Sequence, residues 1–102
     1  MSQSYRNPVD QSSYDRLVAM LARSYRSRRY SVSADIQGFP RPRLIGGYRP
    51  DVIAVKGSYV TIVEVETPDT VDSDHARAQE IAFRRACRRN RNWHIVRRVA
   101  RN

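Results

Sequence analysis

A chain of 102 residues, 40% hydrophobic and 9% aromatic, is long enough for one domain with one core. Its single cysteine, Cys87, excludes an internal disulfide and a cysteine-cluster zinc site. Nineteen basic against ten acidic residues give a net charge of +9, which points to a polyanionic partner and away from an acidic, self-solvating chain.

Residues 1–8 are expected to be a flexible tail and 9–102 a single domain. Tyr14, Leu17, Val18, Leu21 and Tyr25 form one helical stripe, so a helix is expected over about 10–27, capped by Asp10 or Ser12. Tyr30, Val32, Ala34 and Ile36 alternate with polar residues and read as a half-buried strand. Residues 38–47 hold two prolines and three glycines, the composition of a loop. Arg49–Val55 and Tyr59–Glu66 flank a Lys56-Gly57-Ser58 turn and read as a hairpin. A second helix is expected from near Asp72–Asp74 to about Arg89, with Ala78, Ala82, Phe83, Ala86 and Cys87 as a narrow face suited to a sheet. Trp93–Ala100 reads as a last strand. The order α-β-β-β-α-β predicts an α/β fold with a mixed four-stranded sheet and packed helices. No apolar run approaches the ~20 residues of a membrane span, and the polar N-terminus is no secretory signal, so a cytoplasmic protein without a membrane partner is expected.

The charge is unevenly placed. Residues 1–50 carry nine basic and three acidic groups, a net of +6. Residues 51–74 carry one and six, a net of −5, and residues 75–102 carry nine and one, a net of +8. The acidic island falls on the hairpin. Glu64 and Glu66, two apart in a strand, point to one face, and Asp51 starts the adjoining strand. Three carboxylates gathered there repel one another unless a cation is bound, and an oxygen-rich set of this kind suits Mg²⁺ or Mn²⁺. The same Glu-x-Glu pair is also compatible with the solvated face of an edge strand.

The segment Arg49-Pro50-Asp51, twelve residues, then Glu64-Val65-Glu66 resembles the PD-(D/E)XK nucleases, the restriction-endonuclease-like fold, and most of all their small Holliday junction resolvase-like and restriction-type members. The resemblance implies a metal-dependent nuclease that hydrolyses DNA phosphodiester bonds, endonucleolytically. It implies that Asp51, Glu64 and the Val65 carbonyl hold Mg²⁺ or Mn²⁺. It also implies that Asp15, in Tyr14-Asp15-Arg16-Leu17-Val18, is a further metal or water ligand, and that Gln79 with Phe83 is a substrate-contacting element of the helix after the catalytic strands. Glu66 stands where the family carries a lysine, so Glu66 becomes the residue expected to orient the attacking water. That departure motivates the alternative, a non-catalytic nucleic-acid-binding module on the same fold. Arg41, Arg43 and Arg49 near the metal strand, and Arg84, Arg85, Arg88 and Arg89 on the second helix, are the expected contacts to a DNA duplex or branched DNA. Cutting two strands would call for a homodimer.

Overall fold

The computed structural model describes residues 6–101. Its elements are α1 (Pro8–Ser27), β1 (Ser31–Ala34), β2 (Val52–Lys56), β3 (Tyr59–Glu66), α2 (Asp74–Arg89) and β4 (Trp93–Val99). They form a four-stranded mixed sheet of order β1-β2-β3-β4 with two helices, the α/β architecture and element order expected. The strand pairs β1–β2 and β2–β3 are antiparallel, and β3–β4 is parallel. Among the described residues no helix is long and apolar enough to cross a membrane.

The period of two along the strands divides the apolar residues between two cores. Ala34, Val52, Val63 and Val65 pack with Tyr14, Val18, Leu21 and Ala22 of α1. Ile53, Val60 and Ile62 pack with Phe83 of α2 and with Ile45 from the long loop. One helix therefore covers each face. The loop between β1 and β2 lies along α2 because Gly46, at φ +60, permits the approach: a Cβ there would stand 3.0 Å from that of Ala82.

Three boundaries differ from the sequence reading, each for a local reason. The helix starts at Pro8 because the Asn7 side chain accepts from the Asp10 backbone N–H at 2.8 Å and proline is well suited to the first turn. Asn7 is therefore a cap and Arg6, whose side chain is 8% exposed, is packed into the fold, so neither belongs to a tail. The rest of the expected tail, residues 1–5, lies outside the described residues. The first strand stops at Ala34, after which the Asp35 N–H still bonds the Asp51 carbonyl at 2.9 Å. The hairpin ladder ends at Val52 opposite Val63, so Arg49, Pro50 and Asp51 precede the strand.

The parallel pairing of β3 and β4 fixes where each end of α2 lies. The chain leaves Glu66, which is in register with Val99, and re-enters the sheet at Trp93, in register with Val60. The start of α2 is thus at the end of the sheet that carries Glu66, and its last turn is at the hairpin end, six residues or ~20 Å away along the strand.

Candidate functional site

The acidic end of the sheet is built where the hairpin ladder runs out. Continuing the register by two places Pro50 opposite Val65. Proline has no N–H to give the Val65 carbonyl, so side chains take over both polar groups of Val65. Its N–H donates to Asp51 Oδ2 at 2.7 Å, and its carbonyl accepts from Arg6 Nη2 at 3.4 Å. Asp51 Oδ1 accepts from the hydroxyl of Tyr14. Asp51 is therefore a ladder-completing residue as well as a candidate ligand, and both of its oxygens have a protein partner. Burial nevertheless pushes its pKa up to about 7, against the downward pull of the Tyr14 and Val65 donors; Glu66 adds to the rise and Arg6 opposes it. The Tyr14 hydroxyl is raised in turn, by burial first and by Asp51 second.

Glu64 is different. It is wholly buried, and both of its carboxylate oxygens lack a hydrogen-bond partner. Arg97 is its register partner on β4, yet the Arg97 guanidinium is turned to Glu80 at 3.3 Å and to the Val71 carbonyl at 2.7 Å. Burial, then the charges of Glu66, Glu80 and Asp51, push the Glu64 pKa up to about 7, with Arg97 alone pulling it down. A buried carboxylate without a partner is costly and uncommon. Its two unpartnered oxygens are of the kind a divalent cation takes, so Glu64 is the residue here that fits one. Among the described residues no group of three or more His, Cys, Asp and Glu side chains is arranged to hold a metal ion.

Glu66 is engaged. Its Oε1 accepts from Thr70 Oγ1 at 2.7 Å and lies 3.6 Å from Arg6 Nη2. Arg6 also donates through Nε to Thr67 Oγ1 at 3.0 Å and stacks 4.0 Å over the Tyr14 ring. The turn beneath is held by its own threonines, with the Thr67 N–H donating to Thr70 Oγ1 at 3.0 Å. Thr67 also donates to Asp69 at 2.5 Å, which lowers the Asp69 pKa.

Other expected site residues are spread more widely. Asp15 is exposed and accepts from Gln11 at 2.9 Å. The residue that α1 brings to the site is its neighbour Tyr14. Gln79 is buried with Ala76 and Phe83 on the inner face of α2, where a surface contact to nucleic acid had been expected. Arg49 donates to the Pro42 carbonyl and so braces the loop. Arg43 stacks over Trp93, 5.2 Å from the ring centroid, at the hairpin end, and Arg41 is exposed. Arg84 pairs with Glu80 at 2.8 Å, an i,i+4 neutralisation that the sequence reading had not allowed for. Arg85, Arg88 and Arg89 are exposed, and no ion pair holds them among the described residues. By the topology of α2 these last two lie toward the hairpin end rather than around the carboxylates.

Basic residues missed in the sequence do flank the acidic end. Arg16, Arg98 and Arg101 line an open groove of about 400 Å³, floored by Leu17, Met20, Val99 and Ala100. The Ala100 N–H bonds the Glu66 carbonyl at 2.7 Å, so this groove begins one residue from the acidic strand end. The alternation of β4 was the available signal: Val96 faces α1, and Arg98, two residues on, shares that face. No protein-family model matches the chain, and no curated protein is significantly similar to it.

Proposed function

We propose that the protein is a metal-dependent nuclease acting on DNA phosphodiester bonds, with Mg²⁺ or Mn²⁺ as cofactor. Asp51, Glu64 and Glu66 would be its site residues, and the chain would belong to the restriction-endonuclease-like family it resembles. The observation that carries this reading is Glu64: a fully buried carboxylate with both oxygens unpartnered, beside two further acids, in a chain of net charge +9. A bound divalent cation would supply charge neutralisation at the phosphate and activation of a water. Glu64 would hold it, Asp51 would fix the strand end that faces it, and Glu66, anchored by Thr70, would orient the water. Arg98 and Arg101 in the neighbouring groove would guide the phosphate backbone toward the carboxylates, and the exposed arginines of α2 would reach it farther along.

The test is cleavage. Purified protein should nick plasmid or branched DNA with Mg²⁺ or Mn²⁺ and be inert in EDTA, and Asp51→Asn should remove cleavage while leaving DNA binding in place. Cleavage that persists in EDTA sinks the proposal. Binding has its own signature: Arg98→Gln combined with Arg101→Gln should lower the slope of log K against log salt by about 2, near 0.9 per lost phosphate contact. An unchanged slope removes the groove from the DNA path.

A second reading is a non-catalytic nucleic-acid-binding module on the same fold. What favours it is the engagement of Asp51, the Val65 carbonyl and Glu66 by protein donors. It expects the same salt dependence of binding without metal-dependent nicking.

A further inference from the structure

The acidic end of the sheet already holds one cation, and it comes from a part of the sequence that carries no motif. Arg6 precedes α1, and its guanidinium is fixed from four sides. Nε donates to Thr67 at 3.0 Å, while Nη2 lies 3.4 Å from the Val65 carbonyl, 3.5 Å from Thr70 Oγ1 and 3.6 Å from Glu66 Oε1. Its face rests on Tyr14, whose hydroxyl donates to Asp51. Side-chain exposure is only 8% for Arg6 and 7% for Glu66, so water screens this charge poorly. Two of the oxygens that Arg6 touches are thereby committed: the Val65 carbonyl, a metal ligand by the family resemblance, and Glu66 Oε1, which belongs to the carboxylate proposed to orient the water.

We propose that Arg6 is the resident counter-cation of the carboxylate site, and that a divalent cation gains the Val65 carbonyl, and its water the Glu66 carboxylate, only by displacing the Arg6 guanidinium. The inference rests on the metal-site reading above and adds to it a residue that sets metal affinity. A guanidinium cannot shed its charge at any ordinary pH, so relief comes by movement alone. Asn7 caps α1 immediately after Arg6, so the Arg6 side chain is the part that shifts while the helix stays in place.

The test is a Mn²⁺ titration of the unaltered protein and of Arg6→Gln and Arg6→Lys, read as free Mn²⁺ by electron paramagnetic resonance. Arg6→Gln keeps donors toward Thr67 and the Val65 carbonyl but removes the charge, and should bind about tenfold more tightly, the scale on which groups that contact ligands tune metal sites. Arg6→Lys keeps the charge and should stay weak. Equal or weaker binding by Arg6→Gln overturns the inference alone; no binding by any of the three proteins removes the metal site as well. A second measurement needs no variant. On Mg²⁺ titration the Arg6 Nε–H resonance of the unaltered protein should move as its bond to Thr67 is lost, and a resonance unmoved at saturating Mg²⁺ overturns the displacement.

Discussion

Glu64→Met should make the protein more stable at pH 8 and inactive as a nuclease. The stability gain follows from what Glu64 lacks. Its carboxylate is removed from water without a hydrogen bond to replace the lost hydration, a deficit on the order of 2 kcal/mol for a buried polar group and more when it is charged. Methionine has nearly the same length, needs no partner and shares its face with Ile62. For a domain of about this size 2 kcal/mol corresponds to a rise of roughly 10 °C in Tm. Glu64→Gln should gain less, because the amide brings donors and an acceptor into the same unpartnered place. Both variants should lose cleavage by about 10²–10³, the usual effect of removing one group that stabilises charge at a reaction centre. The pairing of opposite effects is the diagnostic point. A buried carboxylate with no catalytic ligand would give the stability gain alone, whereas one kept for a ligand gives both effects. Differential scanning calorimetry with a nicking assay on the same preparations decides the matter, and a variant both less stable and fully active would refute this account of Glu64.

Much of the fold was legible because the sequence is locally consistent. The strand Tyr59–Glu66 and the end of α2 at Arg89 fall where alternation and charge place them, since β-branched residues and a polar break leave few other solutions. The pair Asp51 and Glu64 was legible as a candidate site because like charges on a hairpin stand out in a basic chain. The surroundings of that pair were not legible. Arg6 lies 60 residues from Glu66 in a segment without pattern, and only the packing of α1 against β3 brings them together. Tyr14 was readable as a core residue, and the remaining signal was its hydroxyl. A tyrosine buried in the core must find an acceptor for its hydroxyl, and here it finds Asp51. The placement of the α2 arginines was not legible for a topological reason: the crossover carries the last turn of α2 back to the end of the sheet opposite Glu66.

Stability in EDTA should fall as pH rises from about 5 to 8, opposite to the trend of a protein whose carboxylates are paired. Asp51 and Glu64 have unfolded-state values near 3.8 and 4.5, and in the fold both are pushed up to about 7, chiefly by burial. Below about pH 3 both groups carry a proton in either state, so the fold loses nothing to them. Between the unfolded and folded values the native state retains protons that the unfolded chain has released, and each unit of pH then costs about 1.4 kcal/mol per group. Above the folded values both states are ionised and the loss is complete, roughly 3 to 5 kcal/mol for each group. The Asp51→Asn, Glu64→Gln double variant should flatten the curve across this window. A divalent cation acts on the same quantity. It binds the ionised pair and must expel protons to do so, which makes Mn²⁺ a strong stabiliser at pH 8, by about 2.7 kcal/mol at a hundred times its Kd, and a weak one at pH 5.5. Thermal melts at four pH values, in EDTA and in Mn²⁺, should therefore diverge with rising pH. A stability that climbs between pH 5 and 8 in EDTA would mean that Asp51 and Glu64 are paired in the folded chain by something other than a metal, and would take the electrostatic case for a cation site with it.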